Sequence, residues 1–278
     1  MGVIIVSAIN HISERLLTQY GLDIDDEIFA IQLLHRMNLV KAFGIQKGMN
    51  VLEIGCGQGE TTIAIADQVG EEGRVTAIDM ASRDYGAPLT LGEATDQIKN
   101  SKLGERIQFH FETDFLSLEL HETFDAVVLS HSSWYFKNPN ELKKYFRKMQ
   151  DVSNMICVAD WDIDFMDQSQ RSHFCAATIQ ALYSHFVNHD GNIQNLFHKS
   201  QLKELLEGEG FQIAKQDQVD ATYLQDVQWE KAYANDIRKA FMNESPKFKL
   251  LVNSYYELMN EYKGEEKSLN SFIMCAYK

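Results

Sequence analysis

The chain has 278 residues, 45% of them apolar and 24% charged, with 3 prolines and 16 glycines, a composition that can bury a core and excludes a disordered chain. Lys and Arg total 26 against 40 Asp and Glu, a formal charge of −14. A field of that sign repels phosphate backbones and anionic bilayers, so neither nucleic acid nor stable membrane association is expected. Cys56, Cys157, Cys175 and Cys275 are scattered, with no CxxC pair and no His/Cys cluster at zinc spacing; this argues against a disulfide framework or a structural metal and for a reducing, cytoplasmic location.

The first nine residues are apolar, but they lack a basic start and run straight into the polar stretch Asn10 to Arg15, so no secretion signal is expected. Phe29, Leu33, Met37 and Val40 recur at helical spacing within Asp25 to Phe43, which predicts an amphipathic helix with His35 and Arg36 on a solvated or capping face. The pattern then changes: Val51 to Ile54 reads as a buried strand, Gly55 to Gly59 as a glycine-rich turn, Thr61 to Val69 as a helix, and Arg74 to Asp79 as a second strand. Ser82 to Thr90 reads as an irregular loop. Further strands are expected at Ile107 to Phe111, Ala126 to Ser130, Met155 to Asp160, Phe211 to Val219 and Ser271 to Ala276, with a helix at Asn140 to Asp151. The alternation predicts an α/β fold, a parallel sheet covered on both faces.

The segment Val51 to Thr62 (VLEIGCGQGETT) carries the chemistry. Glycines between a strand and a helix let the backbone approach a ligand at the carboxyl end of a parallel sheet. A dinucleotide fingerprint needs G-x-G-x-x-G, whereas here the third glycine falls one residue early and Glu60 stands in the last glycine's place. Glu53 and Glu60 flank the turn, where a pyrophosphate needs positive ends and bare amides. The same carboxylates suit a cationic ligand such as S-adenosylmethionine, with its ammonium and sulfonium. Asp79, 22 residues after Gly57, is placed to accept ribose hydroxyls of either cofactor.

These residues resemble the class I S-adenosylmethionine-dependent methyltransferases. VLEIGCGQGETT is similar to their first motif, VTAIDMAS to the acidic strand end after it, ETDF to the segment whose Asp114 meets the adenine amino group, and FDAVVLSHSSWYF to the fourth strand and its loop. The resemblance implies a doubly wound, mostly parallel seven-stranded sheet with helical lid insertions. It also implies S-adenosylmethionine as cofactor, held by Glu53, Gly55, Cys56, Gly57, Gly59, Asp79, Met80, Asp114, Phe115 and Ser130. One methyltransferase domain over 1–278 is expected: a helical segment 1–48, a cofactor core 49–160, and lid insertions 161–205 and 223–266.

His131 follows the fourth strand and is the expected general base, with an ordinary histidine pKa suited to deprotonating an oxygen or nitrogen acceptor. Tyr85, Trp134, Tyr135, Trp161 and Trp229 are the expected walls of an acceptor pocket. His185 and His189 have i, i+4 spacing without an HExxH pattern, so no metal is expected. The implied activity is methyl transfer to a small, partly apolar molecule. A nicotinamide-dependent Rossmann oxidoreductase and a non-catalytic S-adenosylmethionine-binding protein are the alternatives. Similar enzymes include cyclopropane fatty acid synthases, which methylenate phospholipid acyl chains; the acidic charge disfavours an anionic bilayer, and their bicarbonate-site residues have no match here.

Overall fold

The computed structural model describes every residue except 1, 25, 87, 88, 121, 189 and 190. Its sheet has seven strands: β1 (Asn50–Ile54), β2 (Arg74–Ile78), β3 (Ile107–His110), β4 (Ala126–Ser130), β5 (Met155–Trp161), β6 (Gln212–Val219) and β7 (Ser271–Tyr277). They lie in the order β3-β2-β1-β4-β5-β7-β6. The first five in that order are parallel, and β7 runs antiparallel between β5 and β6. The chain order reverses between β1 and β4, and this switch point opens a crevice above the strand ends.

Strand composition follows position. β4 and β5 are buried along their whole length and read as continuous apolar runs because both sheet faces are covered. Alternate residues go to opposite faces: Val51, Val128 and Cys157 join one core, and Leu52, Val127 and Ile156 the other. β6, at the edge, is mostly exposed, and its Lys215 and Asp217 blunt an edge that would otherwise template further pairing.

On one face pack α2 (Glu27–Phe43) and α3 (Glu60–Val69), whose Leu33, Leu39, Val40, Ile63 and Ile65 meet Val51 and Val75. On the other lie α5 (Pro139–Val152) and α7 (Lys199–Gly208), through Leu142, Phe146, Met149, Leu202 and Leu206. The predicted start of α2 at Asp25 lies outside the described residues. Asp26 caps that helix by accepting from the amides of Ile28 and Phe29, the side-chain capping that stabilises helix starts. An additional helix, α1 (Gly2–Tyr20), precedes it. Its Arg15 holds Asp67 of α3 through two bonds of 2.7 Å.

The stretch between β2 and β3 is a loop followed by α4 (Leu91–Lys99), whose Thr90 and Glu93 form a capping box; residues 87 and 88 of that loop lie outside the described ones. The two C-terminal insertions form α6 (Arg171–Phe186), α8 (Asp226–Asp236) and α9 (Pro246–Glu261). These helices pack around their own small core of Ile179, Ala234, Phe241, Val252, Tyr256 and Met259. Gln32 of α2 donates to Asp226 of α8 at 2.9 Å, joining this helical layer to the helix before β1.

Candidate active site

A cavity of about 440 Å³ opens at the carboxyl ends of β1, β2 and β4, within the size range of small-molecule sites. Its floor is the turn after β1. Gly55, Gly57 and Gly59 have φ of 80°, 53° and 96°, values that favour glycine. A side chain at Gly55 would meet Ser132 Cβ at 3.0 Å and one at Gly59 would strike Ile98 Cδ1 at 2.6 Å, whereas nothing lies within 4 Å of such an atom at Gly57. Gly55 and Gly57 line the cavity. Gly59 instead caps α3 beneath Ile98, a packing position and not the expected ligand contact.

Asp79 stands at the end of β2. Its Oδ2 accepts from the Gly57 amide and its Oδ1 from the Ala81 amide, each at 2.9 Å. Cys56, Asp79, Met80, Phe115 and Ser130 all line the cavity. Burial pushes the Cys56 thiol upward, so it is an inert packing group. The Ser130 hydroxyl is enclosed without a partner.

Besides Gly59, two expected cofactor contacts are absent from the lining. Glu53 is fully enclosed within β1, where Thr62 Oγ1 donates to it at 2.5 Å. Burial raises its carboxyl to about 8, so it is protonated at neutral pH and cannot supply the negative charge expected of it. Glu60, at the first turn of α3, does face the cavity, which Asp79 and Glu141 also line; burial raises its pKa too, and Arg36 opposes the rise. Asp114 lies behind the wall. Its Oδ1 accepts from Tyr145 Oη and from the Leu116 amide, both at 2.9 Å, and it is Tyr145 that reaches the cavity.

His131 lines the cavity, with a backbone φ of 50° that is uncommon outside glycine. Its ring does not present a base. Nε2 pairs with Ser271 Oγ at 3.1 Å, and Nδ1 is enclosed, 3.9 Å from Asp160 Oδ1. Ser271 Oγ also pairs with His35 Nε2 at 2.9 Å. Burial, then the charge of Arg36, hold His131 well below the ordinary histidine range, correcting the expectation of an ordinary pKa. Asp160, raised by burial to about 6, accepts from the Ser133 amide and hydroxyl.

Of the expected aromatic walls, Tyr85 and Tyr135 face the cavity, but Trp134, Trp161 and Trp229 do not. Trp134 is in the core, Trp161 packs against His131 and His173, and Trp229 is half-exposed on α8. Trp229 was expected to wall the pocket because it is aromatic; its half-exposed flank of α8 does not show in a residue count.

Arg36 is the residue that sequence reasoning misplaced. It lines the cavity instead of a solvated face, and its neighbour His35 is fully buried. The signal was available in Gln32, His35 and Arg36, polar residues on a helix wrapped by apolar ones. Asn192 and Glu141 also line the cavity and had no motif to mark them. Among the described residues no group of three His, Cys, Asp or Glu is placed to hold a metal ion; His189 lies outside them. No helix among them is long and apolar enough to cross a membrane.

Comparison with known proteins agrees with this geometry. Residues 51–154 match the model of a methyltransferase domain. A methyltransferase of Diaporthe leptostromiformis is 30% identical over 158 residues, 49% of this chain and 41% of that protein. A demethylmenaquinone methyltransferase of Staphylococcus aureus is 38% identical over 80 residues, 28% of this chain and 32% of that protein. The chain thus spans less than half the length of these curated relatives. A cyclopropane-fatty-acyl-phospholipid synthase-like protein from Lactobacillus casei is similar from end to end: TM-score 0.84 and 31% identity over 98% of this chain and 99% of that one. With the glycine turn, the β2 aspartate and the seven-stranded order all in place, the chain belongs to the class I S-adenosylmethionine-dependent methyltransferases.

Proposed function

We propose that this protein moves the methyl group of S-adenosylmethionine to a small, partly apolar acceptor. The observation that carries the reading is Glu60, facing the cavity from the first turn of α3. A pyrophosphate needs bare amides and positive ends there, so the carboxylate favours a cationic cofactor over a dinucleotide. The residues fit such a cofactor. The Gly57 backbone is open to close approach, Asp79 is held at the β2 end as an acceptor for ribose hydroxyls, Met80, Phe115 and Tyr145 offer an apolar wall for an adenine, and Ser130 Oγ is an enclosed polar atom awaiting a partner.

When bound, the cofactor supplies a sulfonium-activated methyl group. The protein's task is to hold donor and acceptor in line at near contact, where effective molarity lowers the barrier without a covalent intermediate. The turn Gly55 to Gly57 and Asp79 bind; Tyr85 and Tyr135 shape the acceptor side. His131, with both ring nitrogens turned into the protein, braces that wall through Ser271. The insertions 161–205 and 223–266, with the helical segment 1–48, serve in this reading as a lid that limits water, and 49–160 as the cofactor core. Four buried free thiols and the acidic charge support a cytoplasmic enzyme that acts on small molecules and not on nucleic acid.

A second reading has an alkene carbon of an acyl chain as acceptor. Similarity over the whole length to the cyclopropane-fatty-acyl-phospholipid synthase-like protein of Lactobacillus casei favours it. Calorimetric titration with S-adenosylhomocysteine and with NAD tests the cofactor. Binding of the first alone is expected, and tighter binding of NAD sinks the proposal.

A further inference from the structure

We propose that the corner between α8 and α9, residues 237–251 together with Phe186 of α6, is a reversible docking surface for an anionic phospholipid bilayer. None of these residues lines the cavity, so the inference goes beyond the cofactor site and does not depend on it. The formal charge of −14 opposes stable membrane association of the chain as a whole, but what one face meets is decided by the charge close to it.

The corner is apolar on its outside. α9 turns Val252, Tyr256 and Met259 into the core of the helical layer, yet Leu250 and Leu251 beside them stay 71% and 49% exposed, and Met242, in the 3-10 segment Ile237–Asn243 before the helix, 68%. Phe186 is more than half exposed, and its ring centroid lies 4.7 Å from that of Phe248, so the apolar surface continues from α6 to α9. Lys249 Nζ donates to the Met242 carbonyl at 3.1 Å, which ties the segment to the first turn of α9. Exposed apolar side chains scattered singly are ordinary; four gathered at one corner mark a contact surface.

Charge selects the partner. Between 237 and 251 stand Arg238, Lys239, Lys247 and Lys249 against Glu244 alone, a local charge of +3 in an acidic chain, and counting Asp236 just before them leaves the sign positive. Among the described residues none of the four closes a salt bridge; Arg238 lies over the Tyr256 ring, 4.5 Å from its centroid. Glu257, ten residues past Lys247 on α9, is about 15 Å farther along the axis, beyond the roughly 8 Å over which charges act at physiological salt. Lysines are depleted from protein–protein interfaces, whereas at a bilayer surface their stems lie along apolar area and their ammonium groups reach the headgroups. Lys, Leu, Met and Phe interleaved on exposed helical structure are therefore assigned to an anionic bilayer and not to a second protein.

Sedimentation with vesicles tests the proposal without cofactor or acceptor. The whole protein is mixed with vesicles of phosphatidylcholine alone, or of phosphatidylcholine and phosphatidylglycerol in equal parts, at low and at physiological salt. Wild type is expected to pellet with the anionic vesicles only, and less so as salt rises. Lys239→Gln with Lys247→Gln should weaken that binding about 10-fold or more, and Leu250→Ser with Leu251→Ser should weaken it at unchanged charge. These side chains are exposed, so both variants should melt with wild type; if the serine pair melts early, the glutamine pair decides. Wild type that pellets with neither vesicle, or equally with both, overturns the proposal, as do variants that pellet like wild type. A wild-type oligomer that the serine pair dissociates also overturns it, by giving this face to a second copy of the chain. Titration of the same variants with S-adenosylhomocysteine should match wild type, which keeps failure of the docking surface distinct from failure of the cofactor reading.

Discussion

The Gly57 amide donates to Asp79 Oδ2 at 2.9 Å, so the glycine turn after β1 and the carboxylate ending β2 form one hydrogen-bonded unit. The second oxygen of Asp79 is fixed by the Ala81 amide. Remaining lone pairs point a preset acceptor at the crevice, and order need not be created when a ribose arrives. Asp79→Ala is expected to weaken S-adenosylhomocysteine by about 1 to 3 kcal/mol, and to lower the melting temperature as two amides lose their partner. Asp79→Asn keeps an acceptor oxygen and should lose less. Calorimetry alongside thermal unfolding reads both effects, and an Asp79→Ala variant that binds like wild type removes Asp79 from the site.

Glu53 sets a pH dependence of stability. Its folded carboxyl titrates near 8, above the ordinary value of 4.5. Between these values the folded chain retains a proton that the unfolded chain has lost, so stability declines as pH rises through that window and levels off above it. Glu53→Gln keeps a carbonyl to accept from Thr62 and removes the proton, so its stability should be flatter between pH 5 and 8. Urea unfolding at these two pH values checks this; an unchanged slope in the variant assigns the titration elsewhere.

The histidines act at the other end of the pH scale. His35 and His131 are held well below 6.5 by burial first, and His173 is lowered to about 3. Below pH 6.5 the unfolded chain takes up protons that the folded chain refuses, and stability falls as pH drops. His131→Asn suits the positive φ of that position and should make the acid side less steep. Turnover should stay within a few-fold of wild type, because no open ring nitrogen faces the cavity. A loss of about 10² or more, with a changed acidic limb of the rate profile, restores His131 as a base.

Tyr135 and Trp229 separate the cavity wall from the half-exposed flank of α8. Tyr135→Ala should change transfer while leaving S-adenosylhomocysteine affinity near that of wild type, the pattern of a lost acceptor contact. Trp229→Ala should change neither. A matched loss of transfer in both variants points to closure of the helical layer over the cavity in place of direct contact.

The fold was largely legible because its signals are local. Val51 to Ile54, Ala126 to Ser130 and Met155 to Trp161 are apolar runs that only a doubly covered strand explains, and the glycine turn needs its positive φ wherever the chain goes next. The site was legible where the backbone makes it, at Gly55, Gly57 and Asp79. It was misread where depth decides: Glu53 and Glu60 look equivalent as flanking carboxylates, yet the doubly covered strand β1 buries the first and the helix start turns the second toward the cavity. Gln32 and His35 look like part of a polar stripe because the groups that hold them, Asp226 at the start of α8 and Ser271, lie more than 180 residues away. Trp134 and Trp161 sit at strand and loop ends, where pocket walls and cap packing share one composition.

Transfer of a labelled methyl group from S-adenosylmethionine is the most direct test of the central claim. Purified protein is incubated with methyl-labelled cofactor and a small-molecule extract, with phospholipid vesicles in a parallel arm. Label should appear in a product other than the cofactor, in the aqueous fraction for a small acceptor or in the lipid fraction for an acyl chain, and should be suppressed by excess S-adenosylhomocysteine. Protein that binds S-adenosylhomocysteine yet transfers no label across both arms contradicts the account and leaves a cofactor-binding protein without methyl transfer.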